Sequence, residues 1–212
     1  MKLLLMSSGL ENRSLAQALQ KLVGKTPSET TIGFVPTAAN VEEGNKDWVV
    51  GQFLKLWRYG YNNIDIIDPT AAGVDWQTRL NNVDVIYVSG GNTFHLLDQT
   101  RKTGFDTWLE ANKDKKVYVG GSASSILMAP TIGVAGREFG DPNLPNLTDL
   151  TGLGWVDFEI APHISNAAKL EVAQAYAATV SRKVYALDDA TGIVVTDEGS
   201  EVISEGQWQV LN

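Results

Sequence analysis

Val117-Tyr118-Val119-Gly120-Gly121-Ser122-Ala123-Ser124-Ser125-Ile126-Leu127 is the stretch that decides the fold. A short run of β-formers meets two glycines and a serine. A small-residue segment follows, and its apolar positions (Ala123, Ile126, Leu127) suit a helix. This is the sequence form of a strand, a sharp turn and a helix with one serine at the apex. Such a turn exposes the serine oxygen at the top of a sheet and aims the next backbone N–H at the same space. Glycine suits the flanking positions because the turn leaves little room beside the serine. A flexible Gly/Ser loop has the same composition, so the surrounding chain must decide between the two.

Outward from this stretch, strands alternate with helices. Leu3–Met6, Thr30–Val35, Ile64–Ile67, Val83–Val88 and Val117–Val119 are mostly apolar runs ended by Ser, Pro, Asp or Gly. Between them, Leu15, Ala16, Leu19 and Leu22 share one helical face, with Ser14 as the expected cap and Gly24 as the stop. Val50, Phe53, Leu54 and Trp57 form a second helical set, with Asp47 as its expected cap. Apolar strands alternating with helices imply an α/β fold: a three-layer, mostly parallel sheet with helices on both faces. Residues 136–154 hold four glycines, two prolines and three acids and read as a long loop, a type more often functional than idle. Phe158–Ala161 resumes as a strand, and Ala167–Val180 suits a helix. The β-rich runs from Val184 to Leu211 predict a small antiparallel meander closing the sheet edge. No interdomain linker occurs, so residues 1–212 are expected to form one domain.

The bulk numbers exclude several function classes. A net charge of −8 without a basic run removes the electrostatic footprint of nucleic-acid binding. Zero cysteines exclude disulfides, a cysteine nucleophile and thiolate metal sites. The apolar run at the N-terminus is too short for a secretory core, and no run approaches membrane-spanning length. A cytoplasmic protein with neither nucleic-acid nor membrane partners is expected, and a homodimer is left open.

Ligands of open parallel sheets sit at the carboxyl ends of the strands. Residues just past those ends therefore form one rim: Ser7-Ser8-Gly9, Pro36-Thr37, Gly90-Gly91-Asn92, Ser122 and His163. The chain has two histidines, and His163 follows an apparent strand end. Imidazole is well suited to take a serine proton near neutral pH. His95, in the helix after Gly90-Gly91-Asn92-Thr93, is the rival base. The Gly91 and Ala123 amides are placed to hold the oxyanion of an acyl-transfer intermediate, and Gly90, Asn92 and Thr93 to meet substrate. A nucleotide-phosphate loop is disfavoured, because neither Gly-x-Gly-x-x-Gly nor a Walker lysine occurs.

Gly90-Gly91-Asn92-Thr93-Phe94 before a helix, Gly-Ser-Ala after the next strand, and Pro162-His163 beyond a long loop resemble the dipeptidase E (aspartyl dipeptidase) and cyanophycinase group of serine peptidases. The resemblance spans roughly Leu3 to His163. It implies a class I glutamine-amidotransferase-like fold and hydrolysis of small peptides without metal or other cofactor. Ser122 would be the nucleophile, His163 the base, and Gly91 with Ala123 the oxyanion donors. The group's acidic residue lies in the loop after the elbow helix, which makes Glu138 the first choice and Asp141 the second. A basic residue that reads an acidic substrate would be Lys169 or Arg137. The family usually continues Ala-Gly-Ala after its serine, whereas Ala123-Ser124-Ser125 stands here. Hence the competing expectation is an inactive binding module on the same fold, without a Ser122–His163 contact. A glutamine amidotransferase proper would need a cysteine that the chain lacks.

Overall fold

Alternation along the central strands builds the molecule from both sides of one sheet. In the computed structural model, which describes residues 1–136 and 140–212, β1 (Lys2–Met6) sends Leu3 and Leu5 to one face. Leu4 and Met6 go to the other. After α1 (Arg13–Val23), β2 (Thr31–Val35) places Ile32 and Phe34 on the Leu4 side. α2 (Thr37–Asn40), α3 (Asp47–Arg58), β3 (Asn63–Ile66) and α4 (Trp76–Asn81) follow. β4 (Val85–Val88) then splits Val85 and Tyr87 from Ile86 and Val88 in the same way. α5 (Thr93–Thr103) and α6 (Phe105–Asn112) lead into β5 (Val117–Gly121), which is buried throughout. Strands with two buried faces cannot alternate apolar with polar residues, which is why these read as continuous apolar runs.

The main sheet has seven strands in the order β3-β2-β4-β5-β1-β8-β9. β3, β2, β4, β5 and β1 are parallel. β8 (Thr191–Thr196) runs antiparallel to β1, and β9 (Gly199–Ser204) pairs antiparallel with β8. The α1 and α3 side holds one core cluster, with Leu15, Leu19, Leu22 and Leu56 against Leu4, Phe34 and Tyr87. The opposite side holds α4, α5, α6 and the four-residue α7 (Ala123–Ile126). It also carries a second sheet, made by β6 (Glu159–Ala161), β7 (Val184–Leu187) and β10 (Trp208–Leu211), backed by α8 (Ala167–Ala177).

The predicted C-terminal meander is therefore divided. β8 and β9 do extend the main sheet as an antiparallel pair. β7 and β10 leave it, pairing antiparallel with each other, while β6 runs parallel to β7. The two helix caps also differ from expectation. Asn12, not Ser14, caps α1 by accepting the Leu15 amide at 3.0 Å, and Ser14 instead bonds Glu205. Asp47 lies in the first turn of α3, one residue past the cap position.

β1 pairs on both edges and is covered on both faces, which leaves its apolar side chains little room to relax. Leu5 has no exposed surface. Leu5→Ala is expected to cost about 2–5 kcal/mol through lost burial and the cavity left behind. Thermal unfolding should show this as a fall of about 2–4 °C per kcal/mol for a chain of this size.

Candidate active site

β5 lies between β4 and β1, with Gly120 opposite Val88 and Gly121 opposite Met6. The chain then turns sharply. Ser122 adopts φ 54° and ψ −113°, a conformation that side chains avoid and that costs on the order of 1–3 kcal/mol unless neighbours enforce it. Enforcement comes from both directions. The Ser122 amide donates to Met6 O at 3.0 Å, and Ser122 O accepts from the Ser125 and Ile126 amides at 2.9 and 3.0 Å.

Ser124, the departure from the family pattern, is part of this bracing. It sits in α7 and needs none of glycine's freedom. Its buried hydroxyl accepts from the Gly121 amide at 2.8 Å and lies 2.6 Å from Val88 O, to which it donates. Tyr118 Oη donates to Ser124 O at 2.9 Å. The tight fit falls instead on Gly120, where a Cβ would stand 2.9 Å from Ser124 backbone atoms.

His163 follows β6 and also has positive φ, at 60°. Its amide donates to Ser7 Oγ at 2.7 Å, and the next amide, of Ile164, donates to Leu187 O at 3.0 Å. These bonds aim the imidazole at the elbow. Nε2 lies 2.8 Å from Ser122 Oγ, and Nδ1 lies 2.6 Å from Asp189 Oδ1. The hydrogen bond from His163 holds the Asp189 carboxyl below its usual range, against the opposing effect of partial burial. An ionised carboxylate can only accept, so the ring proton belongs on Nδ1 and Nε2 is left to accept from the serine hydroxyl. The competing expectation of an inactive module required no Ser122–His163 contact; the contact is present.

Asp189 was missed in the sequence, although its position carried the same signal as the rest of the rim. It stands just past the end of β7, and β7 is the parallel neighbour of β6, with Ala161 opposite Ala186. Reading β7 as part of a meander hid that relation. The preceding residue fixes the turn: the Asp188 side chain accepts from the Ala190 and Gln207 amides and from the Thr191 hydroxyl.

Asp141 is the correction to the expected acid. It does not bond His163; its carboxylate accepts the Thr93 amide at 2.8 Å, at the N-terminus of α5. Burial pushes this carboxyl up, more than the Thr93 bond lowers it. Glu42 is raised too, by its own burial and then by the nearby Asp141 charge. Glu138 and Arg137 lie outside the described residues.

Gly90, Gly91 and Thr93 line the cleft above Ser122, together with Ser8, Trp48 and Lys55. Lys169 lines it as well. The cleft encloses about 440 Å³. Gly91 has φ 132°, and a Cβ there would stand 2.2 Å from Ala38 O, so no other residue fits. Among the described residues, the Gly91 and Ala123 amides donate to no protein acceptor. Asn92 differs from expectation. It is fully buried, accepts the His95 amide at 2.8 Å as the cap of α5, and donates to Pro142 O at 2.9 Å, so it does not line the cleft. His95 lies outside the lining, and burial lowers its basicity.

Residues 3–203 match the model of peptidase family S51. The chain belongs to that family. It is a serine-type peptidase, a hydrolase. An uncharacterized peptidase of Listeria monocytogenes is 31% identical over 179 residues, covering 82% of this chain and 85% of its own length. Peptidase E of Streptomyces coelicolor is 29% identical over 166 residues, covering 77% of this chain and 64% of its own. The crystal structure of a putative Peptidase E from Listeria monocytogenes superposes with a TM-score of 0.81 at 26% identity, over 97% of this chain and 98% of that one. The S51 chain has no helix, among the described residues, long and apolar enough to cross a membrane.

The raised Asp141 carboxyl gives a signed prediction. Its ionisation disfavours the native state, so this S51 peptidase loses stability as pH rises from the ordinary carboxylate range through the raised value. Below that range the carboxyl is protonated in both folded and unfolded chains and the effect vanishes. Asp141→Asn keeps an acceptor for the Thr93 amide. It should raise Tm at pH 7, by about 2–4 °C per kcal/mol relieved, and leave Tm unchanged near pH 3. Calorimetry at the two pH values checks this; an equal shift at both would contradict it.

Proposed function

We propose that this peptidase cleaves small peptides by acyl transfer through Ser122, His163 and Asp189. The observation that carries the reading is the continuous relay, 2.8 Å from Ser122 Oγ to Nε2 and 2.6 Å from Nδ1 to Asp189, beside two unengaged amides. Ser122 Oγ attacks the amide carbonyl as His163 takes its proton; Asp189 fixes the imidazole tautomer and favours the imidazolium. The Gly91 and Ala123 amides donate to the oxyanion as it forms. His163 then returns the proton to the leaving amine, and water repeats the sequence to free Ser122. No step calls on a metal or organic cofactor.

The cleft supports a small substrate, since about 440 Å³ is the size of a site for a small molecule rather than for a folded chain. Its charges suit a substrate with free termini: Glu42 and Asp141 line it beside Thr93, and Lys169 lines it near His163 in sequence. Carboxylates of this kind would take the substrate ammonium and a lysine its carboxylate.

A fluorophosphonate probe should label Ser122 and no other residue, and Ser122→Ala should abolish both labelling and peptide hydrolysis. Labelling elsewhere, or full activity of the Ser122→Ala variant, would overturn the assignment. Asp189→Asn should lower kcat by at least about 10²-fold with little change in KM. Asp141→Asn should act mainly on KM, and N-acetylation of a substrate should mimic it. A larger kcat loss at Asp141 than at Asp189 would reverse the two roles.

A further inference from the structure

α3 presents three faces, and among the described residues only two have a partner. At 100° per residue, Val49, Phe53 and Leu56 point toward the sheet and pack in its α1-side cluster. Trp48, Gly51, Gln52 and Lys55 turn toward the cleft and line it. Val50, Leu54 and Trp57 share the third face, spaced i, i+4, i+7, and are 56%, 58% and 62% exposed. A solvent-facing stripe should be polar. On β3, the outermost strand, which follows α3 in the chain, Ile66 is also 55% exposed. Ile66 stands on the same side of the sheet as α3, because Ile64, two residues earlier, packs in that side's cluster. A contiguous apolar patch of this kind marks an interaction surface, and tryptophan is prominent among residues that anchor such surfaces.

We propose that this face is the seat of a homodimer in which α3 packs antiparallel against α3 of a second copy about a two-fold axis. Charge placement selects that occupant and that orientation. Asp47 and Arg58 are exposed and flank the stripe on the same side, about 20° apart around the helix and about 16 Å apart along it. Among the described residues neither forms a salt bridge. A two-fold axis perpendicular to both helices keeps each flank on its own side and reverses the helix direction. Asp47 then falls beside Arg58 of the partner subunit, the converse pair forms at the other end, and Val50 meets Leu54 of the partner subunit. The helix dipoles oppose, which is the favourable arrangement. A parallel two-fold pairing would move each flank to the opposite side of the interface and leave Asp47 and Arg58 without partners across it. An unrelated partner would require no such self-complementarity.

The test is sedimentation equilibrium of the whole chain across the micromolar range. A reversible dimer is expected, and Leu54→Glu combined with Trp57→Glu should reduce it to monomer. Arg58→Asp alone and Asp47→Arg alone should each weaken dimerisation about tenfold or more, and the two together should restore it. Restoration separates a lost contact from a lost fold. A parent chain that stays monomeric, a dimer untouched by the Leu54 and Trp57 changes, or a charge-swapped pair that fails to restore would each overturn the proposal. Retention of the face by some other protein would appear as the first of these outcomes.

Discussion

One backbone carbonyl, that of Met6, carries the site. It ends β1, which pairs on both edges, and accepts both the Ser122 amide at 3.0 Å and the Ser125 hydroxyl at 2.8 Å. The strained apex of the elbow is thereby tied to a residue that cannot move without disturbing β5 and β8 together. The next residue extends the same anchor to the other side. Ser7 is buried, its amide donates to Thr191 O at 3.0 Å, and its hydroxyl receives the His163 amide. Ser122 and His163 are thus positioned from consecutive residues, the last of β1 and the one after it, although they follow strands of different sheets. Distances of hydrogen-bond length between them need that shared reference. Two mobile supports would not hold a 2.8 Å contact, and misplacement by about 1 Å is costly in catalysis.

The elbow shows how small side chains serve the same end. Gly120 and Gly91 are required by close backbone approach, to Ser124 and to Ala38 respectively. Ser124 looked like a defect when measured against the family pattern. In place, its hydroxyl joins the end of β4 to the Gly121 amide, which would otherwise be a buried donor without a partner. The substitution exchanges conformational freedom for a hydrogen bond at a position with helical geometry. Glycine there would leave the Val88 carbonyl and the Gly121 amide to find other partners.

Much of this was legible because buried parallel strands announce themselves. Leu3–Met6, Val85–Val88 and Val117–Gly121 have no polar alternation to obscure them, and each is followed at once by its functional residues. Ser122, His163 and Gly91 stand at such ends, and the elbow pattern and the family resemblance gave them their expected roles. Asp189 obeyed the same rule and escaped it, because the pairing direction of β7 is not written in Val184–Leu187. Parallel pairing with β6 depends on α8 crossing between them, and the strand's own residues suit either sense. Asn92 failed for a local reason: a buried asparagine before a helix is claimed first by the orphan amides of that helix. Asp141 is a similar case. It lies in the expected loop and in the expected cleft, but the amide of Thr93 holds it away from the imidazole.

The three carboxyls around this cleft have been pushed in opposite directions, and the direction sorts their work. Asp189 is held low by its bond from His163, so it stays charged wherever the imidazole is neutral enough to act as a base. Its negative charge is then available when the imidazolium forms, with no proton of its own to lose. Asp141 and Glu42 are held high, each chiefly by burial, and the Asp141 charge adds to the rise at Glu42. A carboxylate pair in that condition has unmet demand for a cation, and an arriving ammonium would relieve both members at once. Sites of this type commonly trade native stability for function. In the proposed reading, the carboxyl that lowers the folded state's stability, Asp141, and the one that orients the base, Asp189, lie in different loops.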